Sequence, residues 1–362
     1  MRDIPQMMPD FNALEAEALS KYMQGGGFIT EFKVTLDLEK VIAEFIQSKH
    51  VIMVPNGTIS LSMMLMVLGI GSGDEVIVPN YTMIATPNAV ISVGATPVFV
   101  DVEKQTLCID IEKIQEKISE RTKAIIFVSA NGRYPAAGIE RIQELCKENS
   151  IFLLEDSAQA LGSLFPDGSH IGTKGIMGSF SFSTPKIIST GQGGCIVTDS
   201  DELNGKLREL KDFGRSKSGI DIHDSIGFNF KFTDLQATIG LVQMEKIEFR
   251  QKRKKEIWAL YYEMLADVKE IELFPHQIQF TCPWFVDSVA QNRDSLKQNL
   301  ADLGIGTRVM YPPINAQKAY SQIGSFPISE YIGKHGLWLP SFVQISNEQI
   351  EDVCNAIREF YL

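Results

Sequence analysis

Cysteine is scarce and scattered in this 362-residue chain: Cys108, Cys146, Cys195, Cys282 and Cys354 are odd in number and never form a CxxC pair. Neither a disulfide framework nor a zinc ribbon is supported by that spacing, and a reducing cytoplasm suits it best. Long apolar runs are also missing. The longest, 61–70 with one serine, is far short of a membrane span, and Met1-Arg-Asp-Ile-Pro-Gln6 has no apolar signal segment. Positive charge is in deficit, 34 Lys and Arg against 45 Asp and Glu for a net charge of −11, which argues against a nucleic-acid groove or an anionic membrane as the main partner. An anionic substrate would need a local basic pocket. Histidine is sparse too: His50, His170, His223, His276 and His335 stand alone, with no HExxH and no GxSxG elbow. Hydrolase chemistry therefore lacks its usual groups, no metal site is expected, and surface or structural roles suit these residues. There is no internal repeat and no low-complexity segment.

What the chain does have is enough apolar content, 44%, to bury a large core, at a length that favours two domains. Short β-rich runs (Val51-Ile-Met-Val54, Glu75-Val-Ile-Val78, Pro97-Val-Phe-Val100, Ala124-Ile-Ile-Phe-Val128, Ile151-Phe-Leu-Leu-Glu155 and Cys195-Ile-Val-Thr198) alternate with helical stretches such as 139–149. Several of these runs are continuously apolar, the pattern of strands covered on both faces, so the reading is an α/β fold with a mostly parallel sheet. Residues 1–245 are assigned to a large domain with an N-terminal segment, and 246–362 to a smaller C-terminal α/β domain. Asp234 is positioned to cap a long helix running through Leu265. The basic run Arg250-Gln-Lys-Arg-Lys-Lys255 on that helix reads as a solvated face rather than a nucleic-acid patch.

Four clusters carry chemistry. Asn56-Gly57-Thr58 follows a strand and opens a helix, a place where free backbone N–H groups and the helix dipole favour an anion, although a bare N-cap has the same appearance. Asp156, in Glu155-Asp-Ser-Ala-Gln159, closes an apolar strand on the side where open α/β sheets bind ligands; a helix cap is the plainer reading. Lys186 lies between Ser179-Phe-Ser-Phe182 and the turn Thr190-Gly-Gln-Gly-Gly194, in an apolar, weakly charged stretch that would desolvate its amine and favour imine formation. In Gly227-Phe-Asn-Phe-Lys-Phe-Thr-Asp234, polar Asn229 and Lys231 alternate with aromatics, as in a strand edge. A lysine, an acid and small phosphate donors are what pyridoxal 5′-phosphate (PLP) needs.

In order along nearly the whole chain, Pro55-Asn-Gly-Thr58, Gly73-Asp-Glu-Val-Ile-Val-Pro79, Asn88-Ala89, Gly94-Ala-Thr-Pro-Val-Phe-Val-Asp101, Glu155-Asp-Ser-Ala-Gln-Ala160, Ser179-Phe-Ser-Phe182, Lys186, Thr190-Gly-Gln-Gly-Gly194 and Gly227-Phe-Asn229 resemble the DegT/DnrJ/EryC1/StrS family of sugar aminotransferases. The resemblance implies PLP fold type I, the aspartate-aminotransferase fold, built as a homodimer with shared active sites. It also implies that Lys186 bonds PLP, that Asp156 pairs with the pyridine nitrogen and that Gln159 lies near the phenolic oxygen. Gly57, Thr58 and Ser181 would hold the phosphate, and Asn229 would reach it from the other subunit. Met83 occupies the place where members usually stack an aromatic ring on the cofactor. Another departure is the loop Val128-Ser-Ala-Asn-Gly-Arg-Tyr-Pro135, which lacks histidines common there.

Within the family, Gly304-Ile-Gly-Thr-Arg-Val-Met-Tyr-Pro-Pro313 and the tail from Leu339 look most like the members that make 4-amino sugars for surface polysaccharides, with Lys231, Arg308 and Tyr311 as substrate-binding residues. The expected reaction moves an amino group from L-glutamate to C4 of a nucleotide-linked 4-keto-6-deoxyhexose, with Lys186 as the acid–base group and Asp156 as the electrostatic one. A different keto sugar, with the ketone at C3 or without a nucleotide, is an alternative, as is a non-catalytic sensor on the same fold. Dehydratases of the family carry histidine where this chain has Lys186, which counts against that activity.

Overall fold

The computed structural model describes residues 3–217, 220–320 and 324–362. Strands β1 (His50–Val54), β2 (Glu75–Pro79), β3 (Thr96–Val100), β4 (Thr122–Val128), β5 (Phe152–Asp156), β6 (Met177–Ser181) and β7 (Gly194–Thr198) form a seven-stranded sheet in the order β1-β7-β6-β5-β4-β2-β3. Only β7 runs against its neighbours. Successive residues of a strand point to opposite faces, and both faces are dry. Val76, Val78, Ile126 and Leu154 pack on one side with Met63, Met64, Leu65 and Ala89, while Ile77, Ile125, Phe127 and Leu153 pack on the other against Ile139, Ile142 and Leu145. This is the α/β architecture expected from the continuous apolar runs.

The helices α2 (Lys33–Ile46), α3 (Gly57–Val67) and α4 (Ala85–Ser92) pack on the large sheet, and α1 (Ala13–Gln24) packs on the helix Asp234–Glu245. A second sheet, of four antiparallel strands in the order β10-β11-β9-β8, comprises β8 (Ile271–Leu273), β9 (Val286–Ala290), β10 (Arg308–Val309) and β11 (Gly336–Leu339). Ile4, near the N-terminus, packs in the core of this second unit and forms a parallel bridge with Ile305. The units are also tied by Asp101, which accepts hydrogen bonds from the amides of Ile328 and Ser329 at the start of helix Pro327–His335. A buried ion pair joins Arg133 to Asp287 at 2.8 and 2.6 Å.

Three local expectations are corrected. Asp234 does not cap a helix through Leu265: the chain forms two helices, Asp234–Glu245 and Ile247–Met264, with Thr233 as the first cap. The Asp234 carboxylate instead accepts from the amides of Phe32, Val34 and Thr35 and from Thr35 Oγ1, capping α2 across about 200 positions of sequence. The basic run is only partly solvated. Arg250 is buried, bonded to Asp10, Gln243 and the Ile187 carbonyl, and Lys254 is buried with its ammonium on the carbonyls of Trp284 and Ser341. The aromatic alternation at 227–233 yields a single bridge, Asn229 to Asp212, with Phe228 and Phe230 stacked at 5.0 Å, rather than a strand.

Candidate active site

The site is assembled where the carboxyl ends of β5 and β6 meet the start of α3. Asp156 is the last residue of β5 and is buried; its Oδ2 accepts from Thr86 Oγ1 at 2.7 Å and its Oδ1 from the Ala158 amide at 3.2 Å. Burial raises its pKa, while Thr86, the Ala158 amide and the charge of Lys186 pull it back. Gln159, also buried, accepts from the Asn131 amide through Oε1 at 2.6 Å, which fixes the orientation of its carboxamide. Asn131 has φ of 55°, the left-handed region that asparagine tolerates better than most residues.

Lys186 is held in a tight excursion between β6 and β7. Phe182 N donates to Gly193 O, Thr190 N to Phe182 O and Lys186 N to Ser183 O. The half-buried side chain places Nζ 4.3 Å from the centroid of the Trp284 ring. Burial pushes its amine down to about 8, opposed by Asp156 and assisted by Arg308.

At the N-terminus of α3, the amides of Gly57 and Thr58 have no acceptor within their helix, and Asn56 Oδ1 caps Ile59 N. A Cβ on Gly57 would lie 3.1 Å from that of Ser181. A Cβ on Gly194 would lie 2.8 Å from Gly57 N and 2.7 Å from Phe180 O, so the glycine turn lets β7 press directly on the helix start. Free amides, a hydroxyl and the helix dipole converge there, a donor set that suits a phosphate group. With a desolvated amine and a buried carboxylate nearby, the residues fit PLP.

Arg308 and Tyr311 come from β10 and the segment after it and lie within electrostatic reach of Lys186 and Asp156 respectively. The Arg308 guanidinium lies 5.4 Å from the Trp338 ring, Tyr311 packs edge-on to the same ring at 4.8 Å, and burial pushes the Tyr311 phenol up to about 12. Met83 is 45% exposed and precedes α4, with Sδ 3.0 Å from Ala85 N. Asn229 and Lys231 lie in the segment between helices Asp201–Lys211 and Asp234–Glu245, where both meet Asp212. Asn229 is exposed, and Lys231 is tied to Asp212 at 2.8 Å and lies over Phe213 at 4.8 Å.

Thr86, Asn131 and Trp284 escaped the sequence reading although each touches a member of the cluster. Thr86 lies three residues beyond Met83, outside every segment that carried the family resemblance. Trp284 offers only the general signal that a tryptophan in an apolar run needs an acceptor for its N–H. All five cysteines are free and buried, no group of three or more metal-binding side chains occurs among the described residues, and no described helix is long and apolar enough to cross a membrane.

Known proteins resemble the chain in both sequence and structure. The family model described as the DegT/DnrJ/EryC1/StrS aminotransferase family matches residues 9–358. The GDP-perosamine synthase of Escherichia coli O157:H7 is 35% identical over 365 residues, covering 100% of this chain and 99% of that protein, and the GDP-perosamine synthase of Vibrio cholerae is 31% identical over 366 residues, covering 99% of each. Among solved structures, a DegT DnrJ EryC1 StrS aminotransferase from Brucella abortus superposes with a TM-score of 0.90 at 30% identity, over 96% of this chain and 95% of that one. DesV of S. venezuelae, solved in complex with a ketimine intermediate, superposes with a TM-score of 0.93 at 28% identity over 99% of both chains. The chain belongs to the DegT/DnrJ/EryC1/StrS aminotransferase family and is a PLP-dependent sugar aminotransferase of fold type I.

Proposed function

We propose that the enzyme transfers the amino group of L-glutamate to C4 of a nucleotide-linked 4-keto-6-deoxyhexose, in the manner of a perosamine-type synthase supplying surface polysaccharide such as lipopolysaccharide O-antigen. The observation carrying this reading is the end-to-end similarity to GDP-perosamine synthases, 35% identical with 100% of the chain covered. Its free, buried thiols suit the reducing cytoplasm in which nucleotide sugars are made.

When bound, PLP supplies an electron sink that carries the amino group from one substrate to the other. Lys186 would hold the cofactor covalently, and its freed amine would hold and move the proton at the donor's Cα; an amine near 8 exchanges protons readily at neutral pH. Asp156 supplies the fixed negative charge facing the ring nitrogen, kept in place by Thr86 and the Ala158 amide. Gly57, Thr58 and Ser181 would bind the phosphate, and Gln159 and Met83 would contact the ring system. Asn229 of the partner subunit completes the phosphate site in a homodimer, a reading supported by the exposure of Asn229. Arg308, Tyr311 and Lys231 bind substrate, with Arg308 as the local cation that an anionic donor requires in a chain of net charge −11.

Incubation with PLP, 15N-labelled L-glutamate and either GDP-, dTDP- or UDP-linked 3-keto and 4-keto sugars or the same keto sugars without a nucleotide tests the proposal. Mass and NMR spectra of the products are expected to show 15N at C4 of a nucleotide-linked sugar. Label at C3, label only in a sugar lacking a nucleotide, or no transfer would each refute it.

A further inference from the structure

Trp284 stands in Thr281-Cys-Pro-Trp-Phe285, immediately before β9, and is 2% exposed. A buried indole N–H needs an acceptor. It finds the carbonyl of Pro185, at 2.6 Å, which is the carbonyl of the peptide joining Pro185 to Lys186. The ring face of the same tryptophan carries Lys186 Nζ at 4.3 Å, within the range of a cation–π contact. One side chain from the second unit thus grips both the backbone and the ammonium of the lysine.

Trp284 is itself immobilised from three directions. Its carbonyl accepts from Lys254 Nζ at 2.6 Å, and the same ammonium donates to Ser341 O at 2.5 Å. The neighbouring Phe285 stacks on it at 3.9 Å and is clamped by Asn131, whose Oδ1 accepts from Phe285 N at 2.7 Å and whose Nδ2 donates to Phe285 O at 2.8 Å. Trp338 meets the indole edge-on at 5.8 Å. The buried half of the basic run on helix Ile247–Met264 therefore has a purpose: Lys254 braces the tryptophan.

We propose that Trp284 is a positioning residue for Lys186: its N–H fixes the lysine's backbone through the Pro185 carbonyl, and its ring face is where the ammonium rests whenever the lysine is detached from the cofactor. This rests on the reading that Lys186 bonds PLP. In each half of the transfer the amine must leave and return, and a flexible four-carbon stem loses time and entropy unless its free state is held within reach of the reacting carbon. An aromatic face suits the task because it stabilises the cation without the directional commitment of a carboxylate.

Borohydride reduction of the wild-type holoenzyme and peptide mapping establish separately whether Lys186 is the bonded residue; a label elsewhere defeats that underlying reading before any variant is made. With Lys186 labelled, Trp284→Leu removes face and N–H, and Trp284→Phe keeps a face but removes the N–H. In the cofactor-free Trp284→Leu protein, the pH midpoint of the rate of PLP capture is expected to move down by about half a unit, because the ammonium has lost a stabilising contact while the neutral amine has not. In stopped flow, recovery of the lysine-bonded absorbance after 2-oxoglutarate is expected to slow about 10-fold, with the KM for glutamate within about twofold of wild type. Trp284→Phe is expected to keep the midpoint and to slow recovery about threefold. A folded leucine variant with wild-type midpoint and recovery would overturn the proposal. If that variant does not fold, wild-type recovery in the phenylalanine variant overturns it, and slowed recovery at an unchanged midpoint upholds it.

Discussion

Thr86 Oγ1 donates a 2.7 Å hydrogen bond to Asp156 Oδ2, linking the first turn of α4 to the end of β5. The bond matters because burial pushes this carboxyl toward its neutral form, whereas a cofactor-facing acid must be ionised. Thr86 is the largest of the influences holding it charged. Thr86→Val keeps the shape and removes the donor. Asp156 then ionises at higher pH, so the acid limb of the kcat profile is expected to shift upward. A hydrogen bond to a charged group contributes roughly 1.5–3 kcal/mol, which corresponds to about one to two pH units. A profile superposable on wild type would show that Asp156 is held charged by other means.

Asp156→Asn tests the charge itself. The amide preserves the volume and can still accept from Thr86, but it presents no negative charge to the ring nitrogen. A loss of about 10²-fold or more in kcat is expected, on the scale of removing one preorganised electrostatic partner. Steady-state kinetics with glutamate would measure it, and an unchanged kcat would mean that another acid serves the cofactor.

The depressed Lys186 amine also has a thermodynamic consequence in the cofactor-free protein. Its pKa is about 8 folded against an ordinary 10.5, so between those values the unfolded chain binds more protons at this position than the native one. This group's contribution to stability therefore rises as pH increases through that window, and below about 8 it is a constant penalty. Lys186→Met removes the titration. Its stability advantage over wild type, measured by urea unfolding at several pH values, is expected to be largest near pH 7 and to shrink steadily above pH 8. A difference independent of pH would show that the amine is not desolvated.

The alternation of strand and helix, and Lys186 and Asp156 as a pair, were legible because their signals are local. Apolar runs of four or five residues define strands covered on both sides, Asp156 ends strand β5, and Lys186 follows β6 closely in sequence. Asp234 was misread for the opposite reason. An acid before an amphipathic stretch has the appearance of that helix's own cap, and nothing in the neighbouring sequence reveals that its acceptors are satisfied by Phe32, Val34 and Thr35. Arg250 and Lys254 failed likewise, since their carbonyl acceptors at Ile187, Trp284 and Ser341 come from distant segments. Trp284 reaches Lys186 across 98 positions, beyond any periodicity.

That reassignment of Asp234 makes a stability prediction. Asp234→Ala removes the acceptor of three backbone amides and the Thr35 hydroxyl at the start of α2, all near a buried position. A destabilisation of roughly 2–4 kcal/mol is expected, above the cost of an ordinary exposed cap because the Thr35 amide and hydroxyl it would orphan are buried. Chemical denaturation would measure it. A change under about 0.5 kcal/mol would mean that solvent replaces the carboxylate.

The shared site and the cofactor shelf can be tested together. Asn229 is exposed and bridged to Asp212, and Met83 is exposed next to the segment that carries Thr86 to Asp156. If Asn229 of the partner subunit binds the cofactor phosphate, Asn229→Ala mixed with Lys186→Ala gives heterodimers in which one pocket combines an intact lysine with an intact asparagine. Activity absent from Lys186→Ala and reduced in Asn229→Ala is then expected to recover on mixing, toward half the wild-type rate per heterodimer. Met83→Phe should tighten PLP, since an aromatic stack adds about 0.5–1.5 kcal/mol beyond area burial, where the thioether packs less rigidly. Equilibrium dialysis of PLP and activity after verified subunit exchange are the measurements. No recovery on exchange would remove Asn229 from the phosphate site, and an unchanged PLP dissociation constant in Met83→Phe would turn residue 83 away from the ring.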